Sequence, residues 1–201
     1  MTRVAGIILA GGGATRIGGE KALTPFLSSV LLDAVIARAA PQVERLALNV
    51  PSARERDYRE RYGVKHALLI DEYPIGTGPL AGIIAGLGWL AGLDGISWLA
   101  TFPCDTPFFP RDLVAQLMAA ANDAPVFAHD GERLQGVCAI WPLSCLRRLE
   151  AGVEGGKLRS LHSAMEALGG STCRVEAGAN AFFNINTPDD LLRAEELARQ
   201  R

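Results

Sequence analysis

The sequence predicts an α/β protein: a three-layer αβα, Rossmann-like sandwich with a mostly parallel sheet and an antiparallel addition in its C-terminal half. Three observations carry that prediction. Short apolar runs at 4–10, 45–49, 65–70 and 96–102 recur with helix-like segments between them. The runs are apolar throughout rather than alternating, as strands are when helices cover both faces of a parallel sheet. Beyond residue 124 the rhythm changes. Residues 125–128 and 135–141 read as strands joined through His129-Asp130-Gly131-Glu132-Arg133, whose central Asp-Gly is a hairpin dipeptide.

The helices follow in order. Residues 30–40 form a helical segment that Pro41 ends, because proline has no amide to continue the ladder. Residues 53–62 are charged enough for a surface helix, whereas 79–91 are apolar and glycine-rich, suited to close packing on the sheet. A further helix spans 110–121. In the second half, 143–149 and 157–168 read as helices and 181–185 as a last short strand. Thr187-Pro188-Asp189-Asp190 then opens the final helix, with Thr as N-cap, Pro at the first helical position and acids in the first turn. At 201 residues the chain suits one domain, 1–201, with a core that needs neither disulfide nor metal.

Composition narrows the function. Hydrophobic residues make up 49% and the net charge is −2, so the basic excess that nucleic-acid binding requires is missing. Cys104, Cys138, Cys145 and Cys173 have no C-x-x-C spacing, which points to reduced thiols rather than a metal cage. The apolar stretch 80–93 is broken by Gly82, Gly86, Gly88 and Gly92 and is too short to cross a bilayer. With no secretory hydrophobic region at the start, the expected location is the cytoplasm, away from membranes.

Directly after the first apolar run comes Leu9-Ala10-Gly11-Gly12-Gly13-Ala14-Thr15-Arg16-Ile17-Gly18-Gly19-Glu20-Lys21. A strand that ends in glycines flanked by two cations is suited to phosphates, since glycine lets successive amides approach an anion. Two familiar loops do not fit. Gly13 to Gly18 has P-loop spacing, but Gly19-Glu20 follows where Lys and Ser/Thr are required. The dinucleotide fingerprint begun at Gly11 meets Arg16 at its third glycine, and its ribose-binding acid is replaced by Asn49. A plain turn would need neither cation.

In an open parallel sheet, ligands bind beyond the carboxyl ends of the strands. Those ends carry Asn49, Asp71 and Asp105 as well as the glycine segment. Asn49 and Asp71 each also suit a simple turn into a nearby proline. Asp105, held between Pro103 and Pro107, suits a functional role better. A carboxylate facing a phosphate loop calls for an intervening cation, and Mg²⁺ takes such a mixed carboxylate and phosphate shell. Asp105 is the expected metal ligand. Arg16, Lys21 and Asp105 together would stabilise charge on a transferring phosphoryl group, with no protein nucleophile.

These residues resemble the signature of MobA-type nucleotidyltransferases. Gly78-Pro79-Leu80-Ala81-Gly82, Pro103-Cys104-Asp105-Thr106-Pro107-Phe108 and Asn184-Ile185-Asn186-Thr187-Pro188 narrow the resemblance to molybdenum cofactor guanylyltransferases, over almost the whole chain. The resemblance implies a nucleotide-diphospho-sugar transferase-like fold and transfer of GMP from GTP to the phosphate of the molybdopterin cofactor. It assigns 1–123 to the nucleotide and 124–201 to the acceptor. Leu9, Ala10, Gly11, Gly12, Gly19, Gly78, Pro79 and Leu80 would line the nucleotide site, with Lys21 on the phosphates and Asn49 and Asp71 on the nucleoside. Arg16 matches a position tied to activity, Asp105 the Mg²⁺ ligand, and Asn184 and Asn186 the catalytic face and pterin side. Related enzymes that transfer CMP look to carry Leu-Ala-Ala-Gly, so Gly11 and Gly78 to Gly82 favour guanine. Contacts with molybdoenzymes or a cofactor chaperone are also implied.

The chain departs from that pattern in two places. Thr24-Pro25-Phe26-Leu27-Ser28-Ser29 looks shortened, and Leu134-Gln135-Gly136 stands where the family has a His-Pro or Gln-Pro pair. Two other readings remain open: a same-fold enzyme with another nucleotide or acceptor, including a cytidylyltransferase, and a nucleotide-binding accessory protein without catalysis. His66, His129 and His162 lack partners at ligand spacing, Cys104 reads as a packed thiol, and Trp89, Trp98 and Trp141 read as core or half-buried residues.

Overall fold

The computed structural model describes residues 2–10, 20–70 and 78–200. In chain order the elements are β1 (Val4–Leu9), β2 (Pro25–Phe26), β3 (Ser29–Val30), α1 (Leu31–Ala39), β4 (Arg45–Val50), α2 (Glu55–Tyr62), β5 (Ala67–Ile70), α3 (Pro79–Leu90) and β6 (Trp98–Pro103). Then follow α4 (Leu113–Ala119), β7 (Val126–His129), β8 (Leu134–Pro142), α5 (Leu146–Glu154), α6 (Leu161–Leu168), β9 (Ser171–Arg174) and α7 (Pro188–Arg199). One seven-stranded sheet runs β5-β4-β1-β6-β8-β7-β9. The first four are parallel neighbours; β8 is antiparallel to both β6 and β7, and β9 is parallel to β7. β2 and β3 form a small separate antiparallel hairpin, with Pro25 paired to Val30 and Phe26 to Ser29.

The continuous apolar runs are explained by what covers each face. In β1, Val4 and Ile8 join one buried cluster with Leu32 and Val35 of α1, Tyr58 of α2 and Leu113 and Leu117 of α4. Ala5 and Ile7 join the other, with Leu80, Ile83 and Leu87 of α3, Leu149 of α5 and Ala164 of α6. Side chains alternate across a strand, so a sheet buried on both faces needs apolar residues at every position. Each fully buried Leu or Ile contributes about 1.5–3 kcal/mol. A third cluster of Phe26, Leu31, Phe108, Ile185 and Ala194 seats α7 against the β2–β3 hairpin.

Two sequence expectations need correction. Residues 181–185 are not a strand. Asn180 takes a left-handed φ of 61°, turn bonds run from Ala181 N to Gly178 O and from Phe183 N to Asn180 O, and Ile185 N donates to Asp105 O at 2.9 Å. The segment crosses the end of the sheet. The strand lies earlier, in β9, which pairs parallel with β7. The helix expected over 157–168 begins only at Leu161, because the Ser160 hydroxyl accepts from Ser163 N and the Ser163 side chain returns to the Ser160 amide, a capping box that fixes the start.

Candidate active site

β1 and β6 are adjacent and parallel, so their carboxyl ends open into the same crevice. Beyond β6 the chain continues as Cys104-Asp105-Thr106. A short 3₁₀ turn at Lys21–Leu23 faces it. Lys21 Nζ lies 2.7 Å from Asp105 Oδ2 and 2.7 Å from Asn186 Oδ1. The Lys21 and Asp105 side chains are only 14% and 18% exposed, so water screens the pair weakly. The Asn184 amide faces both Asp105 oxygens; with its nitrogen on that side it donates to Oδ2 at 2.9 Å and Oδ1 at 2.6 Å. The buried Thr106 hydroxyl donates to Asp105 Oδ1 at 3.2 Å.

Asn186 is held in place by the start of α7. Thr187 Oγ1 accepts from Asp190 N, while Asp190 Oδ2 accepts from Thr187 N and from Asn186 N. The Asn186 amide, together with Thr187, keeps the Asp190 carboxyl below its ordinary range. Ile185 N on Asp105 O ties the same segment to the β6 end. A helix cap therefore sets the position of Asn186, 165 residues from the lysine it meets.

On the neighbouring strands, Asn49 pairs with Leu9 across β4 and β1, and its carbonyl accepts from Ala10 N. The residue is 2% exposed and its side chain donates to Leu69 O, so it braces the β5 end beneath the crevice. α3 follows a left-handed Gly78 and carries Pro79 at its start, while the Leu80 side chain is fully buried in the core. Ala10 and Leu80 are both buried, at 1% and 0% exposure, and the Ala10 amide is already bonded to Asn49 O. Gly82 brings α3 against the strand ends: a Cβ there would stand 2.5 Å from Asn49 Oδ1 and 2.9 Å from Leu9 Cδ2. Gly11, Gly12, Arg16, Gly19 and Asp71 lie outside the described residues.

Cys104, His129 and Trp141 make contacts within the fold. Burial, then the Asp105 carboxylate, pushes the Cys104 thiol up to about 12, which leaves it protonated and a poor nucleophile. His129 Nδ1 accepts from Gly131 N within the hairpin, and Trp141 donates from the core to Thr101 Oγ1. Among the described residues no group of three His, Cys, Asp or Glu is placed to hold a metal, and no helix is long and apolar enough to cross a membrane. Sequence reading missed Thr106 and the contact between Glu20 and Tyr58. The first could have been found from its position beside Asp105; the second had no local signal.

A mostly parallel seven-stranded sheet with an antiparallel part, covered by helices on both faces, is the fold of the nucleotidyltransferases. The MobA-like NTP transferase domain model matches residues 6–170, and the chain belongs to that family. It is 40% identical over 201 residues to a protein of Rhodobacter capsulatus, and 38% identical over 199 residues to one of Cereibacter sphaeroides. Both relatives bear the name molybdenum cofactor guanylyltransferase, and each alignment covers 98% of both chains. The crystal structure of molybdopterin-guanine dinucleotide biosynthesis protein A from Archaeoglobus fulgidus superposes with a TM-score of 0.80 at 24% identity, over 98% of this chain and 100% of that one.

Proposed function

We propose that the protein transfers GMP from GTP to the terminal phosphate of molybdopterin carrying molybdenum, releasing pyrophosphate and giving the guanine dinucleotide cofactor. The observation that carries this reading is the convergence of Lys21, Asp105, Asn184 and Asn186 at the ends of β1 and β6. The names of the two full-length relatives support the choice of substrates.

The donor set fits Mg²⁺. Asp105 offers a carboxylate to the crevice, and the Asn184 and Asn186 amides can each turn an oxygen toward it. A hard cation takes such oxygens and fills its shell with phosphates and water. When bound, it would neutralise charge on the donor phosphates. With no three-carboxylate cage among the described residues, its retention depends on nucleotide.

In this reading 1–123 serves the nucleotide and 124–201 the acceptor within one domain. Leu9, Ala10, Gly11, Gly12 and Gly19, with Gly78, Pro79 and Leu80 at the start of α3, would line the nucleotide site. Asn49 and Asp71 support its nucleoside end. Lys21 and Arg16 lie on the phosphates. The acceptor phosphate oxygen forms a bond to the α-phosphorus as the bond to the β-phosphate oxygen breaks, and the electron pair leaves with pyrophosphate. Lys21 and Arg16 stabilise that growing negative charge, a contribution of about 3 kcal/mol for one well-placed donor. Asn184 and Asn186 orient the acceptor.

Nucleotide selectivity tests the proposal. Thermal-shift titration with Mg²⁺ should show stabilisation by GTP ahead of CTP, ATP and UTP, and GTP with the pterin acceptor should release pyrophosphate. Preference for CTP would reassign the donor; binding without pyrophosphate release would make the protein an accessory module.

A further inference from the structure

Tyr58 lies in α2, is fully buried, and donates its phenol to Glu20 Oε1 at 2.9 Å. Glu20 immediately precedes Lys21. Its carbonyl accepts from Leu23 N at 3.0 Å and from the Thr24 hydroxyl at 3.3 Å, bonds internal to the turn that move with it. The phenol reaches Glu20 from another element, 38 positions along the chain. The ring belongs to the buried cluster that includes Ala10, Ala22, Leu48, Val50 and Cys104, and it lies 6.2 Å from the Tyr62 ring, so the hydroxyl has little freedom to seek another partner. Burial first, and the Glu20 carboxylate second, raise the phenol pKa far above its ordinary value, so it stays a donor at every working pH.

We infer that Tyr58 is a positioning residue for the proposed transfer: by holding the Glu20 carboxylate it fixes the turn that carries Lys21 to Asp105 and Asn186. Without the phenol, the half-buried carboxylate has no partner from α2 and turns toward water, and the backbone of Lys21 turns with it. An ångström of misplacement at a catalytic cation is expensive in rate. The inference rests on the guanylyltransferase reading only for its kinetic arm.

Two readouts test it. In Tyr58→Phe, kcat/KM for GTP should fall about tenfold, and the Lys21 amine should be acetylated faster, measured by peptide mass spectrometry. Glu20→Ala, which breaks the same bond from the accessible side, should match both effects. Combining it with Tyr58→Phe should add nothing, whereas Glu20→Gln, which keeps an acceptor oxygen, should restore wild-type behaviour. Circular dichroism on each variant identifies any loss of fold, and the Glu20 pair decides the matter if Tyr58→Phe does not fold. Unchanged Lys21 acetylation in Tyr58→Phe and Glu20→Ala, or additive losses in the double variant, would overturn the inference. Should the wild type consume no GTP, the functional proposal fails while the acetylation comparison still stands.

Discussion

Lys21 Nζ and Asp105 Oδ2 meet at 2.7 Å although 84 positions separate them, and Asn186 closes the same ammonium from the far end of the chain. The lysine stands at the carboxylate that, in the proposed reaction, is needed by a metal. A cation of the protein and a cation from solution therefore compete for one group. Nucleotide phosphates would draw the lysine away and offer the metal further oxygens at the same time.

Replacing Lys21 by Met should tighten divalent binding in the absence of nucleotide, because the competitor is gone. Titration of Mn²⁺ followed by electron paramagnetic resonance reads this directly. Turnover should nonetheless fall by about 10²–10³, the usual loss for one electrostatic donor to a developing charge. Equal metal affinity in the two proteins would show that the ion pair does not compete.

Asp105→Ala should abolish pyrophosphate release. It also leaves a largely buried ammonium with Asn186 as its side-chain acceptor, at a cost of about 1–3 kcal/mol in urea unfolding. Retained activity would exclude Asp105 as the metal ligand.

Gly82→Ala and Gly86→Ala should separate. At Gly86 a Cβ would stand 2.8 Å from Leu99 Cδ2 and 3.0 Å from Ile7 Cδ1, deep in the core, so about 1–3 kcal/mol of stability is lost with little change in affinity. At Gly82 the clash falls on Asn49 and Leu9, so α3 shifts at the crevice and GTP affinity falls as well. Chemical unfolding and nucleotide titration of both variants provide the comparison.

Alkaline pH should unfold the protein through its buried acids. Burial raises the Cys104 thiol from 9.0 to about 12, and raises the Cys138 thiol and the Tyr58 and Tyr62 phenols well above their ordinary values. A group whose folded pKa is raised binds its proton more tightly when folded. Its stabilisation is complete below the unfolded value and is lost as pH rises toward the folded one. Stability from these groups should therefore hold up to about pH 9 and decline above it. In a Tyr73→Phe background, which leaves Tyr58 and Tyr62 as the tyrosines, tyrosinate absorbance should appear together with unfolding, not before it. Titration of these phenols in the folded state would contradict the burial argument.

Much of this was legible in the sequence. The apolar runs gave the parallel strands because burial on both faces leaves no polar alternation, and Thr187 to Asp190 carried its capping box openly. β9 escaped because Ser171-Thr172-Cys173-Arg174 is polar and edge-placed, so pairing with β7 rather than its own pattern makes it a strand. Residues 181–185 were apolar enough to suggest a strand, but a left-handed Asn180 turns them across the sheet end. Lys21 and Asp105 could each be singled out by local context. The parallel-sheet rule brought them to one crevice, but their direct ion pair could not be read, nor could the phenol anchoring Glu20, because side-chain contacts between distant elements leave no trace in spacing.

Where Asn186 sits separates scaffold from centre along the chain. All seven strands of the sheet are complete by Arg174, whereas the amides that close on Lys21 and Asp105 follow it, at Asn184 and Asn186. A chain cut after Arg174 would keep every strand and lose those two contacts.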